Sequence, residues 1–354
     1  MKYLRRYSFT LAFLALFLAW MWLRREATDQ VYQLSGNTMG TGYTVLVTRF
    51  PDEVPDHELA EGIEQRLHRI DRELMSTYAP ESELSRFNRA PVGQWMDISP
   101  ELADVMAQAQ TISDLTGGYF DVTVGPLVDR WGFGPLQEMA DSSRIPTDAE
   151  IEQLRERVGY RHLEVNQQPP QLRKLHDVRV DLSGVAKGYG TDVIADYLES
   201  VGLDSYFIEI GGELRVRGVK PDGSSWVPAI ERPTQGAPEV HDIIVHDGQS
   251  IAVAGSGDYR NYFEQDGVRF SHEIDPFTGR PISHDLAAVY VITDTAAMAD
   301  AWSTAFMVMG AERSEALAQR LDLAAYFITK RNDGEGFDSR FTPQFARYLS
   351  NEDD

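Results

Sequence analysis

The chain has 354 residues, enough for a large core, and a formal charge of −22 that argues against non-specific nucleic-acid binding, which needs a basic footprint. It has no cysteine, which excludes disulfides, thiolate metal sites, cysteine nucleophiles and cysteine-linked lipids. An anionic substrate would need a metal ion or local Lys and Arg to offset the field.

Residues 1–25 read as a targeting element. Lys2, Arg5 and Arg6 precede an apolar run at 8–23, which Arg24 and Arg25 close. A spanning helix wants about 20 apolar residues, so the run is at the short end. It ends in bulky AWMWL without a small-x-small cleavage site, so an uncleaved signal anchor is expected, with the body across the membrane from Lys2. Residues 26–36 read as a tether into Met39-Gly40-Thr41 and a strand at 43–47. Residues 57–75 show the apolar spacing of one amphipathic helix. Beyond it, Tyr78 lies among turn formers; its ring suits stacking on a planar ligand, and a packed loop tyrosine is the alternative. A second helix is expected at 99–116, opened by Ser99-Pro100 and closed by Gly117-Gly118. Residues 119–134, YFDVTVGPLVDRWGFG, alternate rings and glycines as a flat cofactor or a tightly folded loop requires. A helix at 147–158 and a strand–turn–strand at 159–175 follow.

The organising stretch is 180–192, VDLSGVAKGYGTD, predicted as strand, tight turn and helix. Its small residues leave backbone groups open to an anionic ligand, and Asp181 and Lys187 bring opposite charges. An ordinary strand-to-helix connection accounts for the same residues. Residues 206–216 read as a strand interrupted by Gly211-Gly212, the sign of a bulge or a close approach to backbone, with Glu213 beside it. Further strands are expected at 225–230, 241–245 and 250–253. Asp258 and Arg260 are candidates for binding or a local ion pair. In 270–282, FSHEIDPFTGRPI, His272 suits proton acceptance near neutral pH, with Asp275 to orient it or bind a cation. A surface histidine beside a carboxylate is the alternative. Residues 293–310 form a small-residue helix in which Asp300 and Thr304 share a face. With the Gly184 carbonyl they make an oxygen set suited to Mg²⁺; a hydrogen-bonded buried aspartate is the alternative. A helix at 311–320, a strand at 325–330 and a short element at 341–349 close the chain.

Taken together, the blocks MGT (39–41), MSTY (75–78), SRFN (85–88), FDVTVGPLV and WGFGP (120–135), DLSGVAKGYGTD (181–192), IGGELRVRG (210–218), GSGDYRNYF (255–263), SHEIDPFTGRPI (271–282) and ADAWSTAFMVMG (299–310) resemble the ApbE family of FAD:protein FMN transferases. The resemblance covers nearly all of residues 32–349. It implies an α+β fold of two interlocked lobes around an FAD cleft, with a transferase domain at 37–349. It implies Mg²⁺-dependent transfer of FMN from FAD to a Thr or Ser hydroxyl of a target protein, releasing AMP. Carried over, Met39, Tyr78, Phe120, Asp121, Asp181, Lys187 and Ile274 line the FAD site. Gly184, Asp300, Thr304 and Ser303 hold the metal, and His272 activates the acceptor. The implied partner is an exported or membrane redox flavoprotein, and the implied location is the periplasmic face of a bacterial inner membrane. Family members commonly carry an acylated lipoprotein cysteine, which this chain lacks, leaving anchoring to residues 8–23. An Mg²⁺-dependent FAD diphosphatase and a non-catalytic flavin-binding protein are the alternatives.

Overall fold

In the computed structural model, which describes residues 30–50, 54–134, 145–331 and 336–350, eight strands form one sheet whose spatial order follows chain order. They are β1 (Tyr32–Thr38), β2 (Thr41–Val47), β3 (Tyr206–Ile210), β4 (Glu213–Arg217), β5 (Ile251–Gly257), β6 (Leu286–Thr293), β7 (Ala324–Lys330) and β8 (Phe337–Phe341). Every neighbouring pair is antiparallel. The expected anchor at 1–25 lies outside the described residues. Strand β1 begins at Tyr32, so residues 32–36 are sheet, not tether.

Four helices matter for the site: α1 (Asp56–His68), α2 (Pro100–Leu115), α3 (Ala186–Ser200) and α4 (Ala296–Met309). The expected helix at 57–75 is α1 followed by a π-helical turn, Arg69–Met75, which keeps Ile70, Leu74 and Met75 buried. Between β2 and β3 the chain leaves the sheet to build a second lobe. That lobe holds α2 and a small sheet of Met96–Asp97, Pro170–Lys174 and Leu163–Gln167, and it returns through α3.

Three local readings are corrected. Residues 178–182 alternate like a strand but pair through only one bridge, Arg179 with Val124. The backbone groups of Val180 are taken by a side chain, the Asn88 amide donating to its carbonyl and accepting from its N–H, both at 2.8 Å, while Asp181 N–H donates to the Val122 carbonyl. Backbone polarity is satisfied without a ladder. Gly211-Gly212 is no bulge but the two-residue turn of the β3–β4 hairpin, with φ of 62° and 110° and Ile210 opposite Glu213. Positive φ at both central residues is what such a turn requires, and glycine supplies it without strain. Strand β6, LAAVYVIT, escapes the sequence reading because it does not alternate in polarity. Val289 and Val291 face one core with Trp302 and Phe306 of α4; Ala288, Tyr290 and Ile292 face another with Trp226 and Phe345. A strand covered on both faces reads as a continuous apolar run.

Helices α3 and α4 meet backbone to backbone. A Cβ on Gly188 would stand 2.1 Å from the Ala296 carbonyl oxygen. One turn on, the Asp192 carboxylate accepts from the N–H groups of Ala296 (2.8 Å) and Ala297 (2.9 Å), occupying donors that the start of α4 cannot satisfy itself. Arg215 of β4 holds the same carboxylate at 2.7 Å. Gly188→Ala is therefore expected to lower stability by about 3 kcal/mol, the upper end for forcing a methyl group into packed structure. A urea-unfolding midpoint unchanged from wild type would show that the helices separate freely.

Candidate active site

A cavity of about 500 Å³ opens where the two lobes meet. Met39, at positive φ in the β1–β2 turn, lines one wall, and its N–H donates to Asp71. Tyr78 stands at the rim, 59% exposed, with its hydroxyl toward the Phe133 carbonyl. Phe120, Asp121, Asp181, Gly184, Lys187, His272, Ile274, Asp300 and Thr304 complete the expected set on the same walls. Two expected residues are not on the walls. The Ser303 hydroxyl is bonded to Ser256 Oγ (2.9 Å), which is on the wall, and donates to the Asp300 carbonyl (3.0 Å). Asp275 shapes the 275–279 turn, its carboxylate accepting from Phe277 N–H and its carbonyl from Gly279 N–H.

The acidic residues differ in how much of their bonding capacity is spent. Asp121 Oδ1 accepts from the Thr123 N–H and hydroxyl, and Oδ2 from Tyr160 N–H. Its carboxylate is committed to the fold, and burial pushes its pKa up against those bonds. Asp181 accepts from the N–H and hydroxyl of Ser183. Asp300 is 1% exposed; Oδ2 accepts from Gly188 N–H at 3.0 Å, and Oδ1 lies 3.7 Å from the Lys187 ammonium. Glu213, 2% exposed, places Oε1 3.4 Å from the same ammonium. Burial pulls the Lys187 pKa down, but Asp300 and Glu213 outweigh it and hold Lys187 above the ordinary lysine range. Burial raises both carboxyl groups, with Lys187 opposing.

The donor set fits a hard cation. A Cβ on Gly184 would lie 3.1 Å from Thr304 Oγ1, so the 184 backbone abuts that hydroxyl. Among the described residues Thr304 Oγ1 makes no hydrogen bond, which leaves it available beside the buried Asp300. Carboxylate, hydroxyl and backbone carbonyl oxygens are what Mg²⁺ prefers.

His272 follows the hairpin formed by Tyr262–Gln265 and Val268–Ser271. Its Nδ1 is 3.0 Å from the Asn261 carbonyl. A carbonyl only accepts, so this bond assigns the proton of the neutral ring to Nδ1 and leaves the lone pair on Nε2. The carboxylate beside Nε2 is Glu273 at 3.6 Å, where the sequence reading expected Asp275. A run of rings supports the imidazole: Phe133 meets it edge-on at 6.2 Å, then come Phe263, Phe270 and Trp131, whose indole N–H donates to Gly279. Asp258 and Arg260 make ion pairs, with Lys330 and Glu231 respectively.

A model of the ApbE family matches residues 39–327. The chain belongs to the ApbE family. Its relatives include the FAD:protein FMN transferases of Vibrio cholerae serotype O1, 41% identical over 92% of this chain and 94% of the relative, and of Escherichia coli K12, 40% identical over 93% and 92%. The flavin transferase ApbE structure from Vibrio cholerae superposes with a TM-score of 0.81 at 40% identity, covering 90% of this chain and 99% of that one. The apo Pseudomonas stutzeri flavinyl transferase ApbE also gives 0.81, at 39% identity, covering 91% and 98%. The α+β architecture is the one these ApbE structures share.

Sequence reasoning missed Glu273 in this ApbE site. It follows His272 in a stretch read for its histidine and for Asp275, and only the cavity shows that Glu273 is one of its lining residues. Burial raises its pKa, against the pull of His272 and Lys187. The sign follows: stability from this group is full below the unfolded-chain value near 4.5 and is lost as pH rises through the raised folded value. Glu273→Gln is expected to remove that loss, so variant and wild type should diverge in stability as pH rises from 4 to 8, with the variant the more stable. Parallel urea titrations check this; curves that keep a constant offset would contradict it.

Proposed function

We propose that this chain transfers FMN from FAD to a Thr or Ser hydroxyl of a target flavoprotein, releasing AMP. The observation that carries the reading is convergence: an aromatic and apolar wall, an ammonium, a carboxylate beside a hydroxyl, and a histidine with an open lone pair all line one cavity. Family membership and the relatives' names support the same chemistry.

Tyr78 and Phe120 offer ring faces, and Met39 and Ile274 apolar contact, for the flavin end. Asp300, Thr304 and the Gly184 carbonyl would hold Mg²⁺, which supplies charge neutralisation at a diphosphate that otherwise repels a nucleophile. Lys187 adds a positive charge on the same wall. His272 Nε2 takes the proton of the acceptor hydroxyl as its oxygen bonds to the FMN phosphorus. The bond between that phosphorus and the bridging oxygen breaks, and AMP leaves with the electron pair. The walls must also exclude water, because water in place of the acceptor would give free FMN. Residues 8–23 would hold the chain at the inner membrane, with the body on the periplasmic side near an exported or membrane redox partner.

Full-length protein incubated with FAD, Mg²⁺ and a threonine-bearing target should release AMP while the target gains the mass of FMN. Free FMN without labelled target would return the diphosphatase, and intact FAD the non-catalytic binder. His272→Ala should keep FAD binding and lose transfer by about 10²–10⁴-fold; near wild-type transfer would place the base elsewhere. Asp300→Asn should fold and lose Mg²⁺-dependent transfer, measured as AMP release across a Mg²⁺ titration. An unchanged Mg²⁺ dependence would make Asp300 a packing residue.

A further inference from the structure

Glu213 is a charged side chain in the cavity with a buried oxygen that has no hydrogen-bond partner. It opens β4 directly after the Gly211-Gly212 turn, which pins its backbone, and it is 2% exposed. Oε1 has the Lys187 ammonium at 3.4 Å, whereas Oε2 is buried and has no hydrogen-bond partner. An ionised carboxylate accepts several bonds, and burying one with so few is costly, so packing alone does not account for this residue. Lys187 is equally unsettled. Its ammonium sits between Glu213 Oε1 and Asp300 Oδ1, beyond close hydrogen-bond distance of both, and 3.3 Å from the Ser183 carbonyl.

We propose that Lys187 is a counter-ion shared by Asp300 and Glu213, and that Glu213 is a positioning residue which draws the ammonium off Asp300 when a divalent cation binds there. This rests on the reading of Asp300 as the cation's carboxylate. A cation on Asp300 Oδ1 meets Lys187 as a like charge, and repulsion between such neighbours is strong where little water screens it. The unpartnered Oε2 of Glu213 is the acceptor toward which a flexible lysine stem can turn. Asp300 is then released to the cation, while the ammonium stays on the cavity wall with its charge matched. Glu273 and Asp181 lie on the same walls, but neither is an ion-pair partner of Lys187.

The test uses the full-length chain in detergent with Mg²⁺ alone and no FAD. By calorimetric titration, Glu213→Gln should bind Mg²⁺ about tenfold more weakly, a typical coupling between linked sites, because Lys187 then remains on Asp300. Lys187→Met, which removes the competitor, should bind Mg²⁺ more tightly and show a larger Mg²⁺-induced rise in Tm. Crystal structures of the wild type with and without Mg²⁺ give a readout independent of either variant's folding: with the ion, Nζ should close to hydrogen-bond distance of Glu213 and withdraw from Asp300. Lys187→Met binding Mg²⁺ no tighter than wild type would overturn the proposal. So would a loaded crystal in which Lys187 stays on Asp300 or Glu213 itself ligates the ion. Wild type that binds no Mg²⁺ at Asp300 would overturn the underlying cation reading as well.

Discussion

The close contact of α3 and α4 is the constraint on which the site depends. Because Gly188 has no side chain, the two helices approach until one backbone lies against the other. That approach brings Asp300 within reach of the Gly188 N–H and Lys187 within reach of Asp300, and it lays the Gly184 backbone against Thr304. Asp192 fastens the same pair of helices through the amides at the start of α4. Site geometry and helix packing are thus one arrangement, and Gly184 and Gly188 serve both.

Electrostatics give the cavity its bias. On a chain of net charge −22, its walls gather Asp300, Glu213 and Glu273 around a single lysine. Burial raises the pKa of each of these carboxyl groups, so the medium works against their charged forms. A site of this kind favours added positive charge, and a diphosphate can enter only if that charge accompanies it.

Much of this was legible in residue order, and the failures have physical causes. The α4 helix and the shared face of Asp300 and Thr304 follow from helical spacing, and the structure places them so. The resemblance named the cavity residues, but it could not show that the Asp275 carboxylate and the Ser303 hydroxyl are bonded within their own turn and to Ser256, because such partners belong to loop geometry and helix phase. Residues 178–182 misled because alternation records which faces are buried, not what satisfies the backbone; the distant Asn88 decides that. Strand β6 was invisible for the converse reason: with both faces covered, no alternation remains.

The meander order of the main sheet has a consequence for how the chain folds. From β3 onward the connections between sheet neighbours are either tight, as at Gly211-Gly212, or shorter excursions, but β2 and β3 pair across the entire second lobe. Closing so long an excursion carries a large entropic penalty if the intervening chain is loose, and a much smaller one once that segment is compact. The second lobe therefore acts on the sheet as an internal cross-link whose strength is its own stability. Loosening α2 or the small sheet should detach the β1–β2 arm, and Met39 with it, before the rest of the sheet gives way.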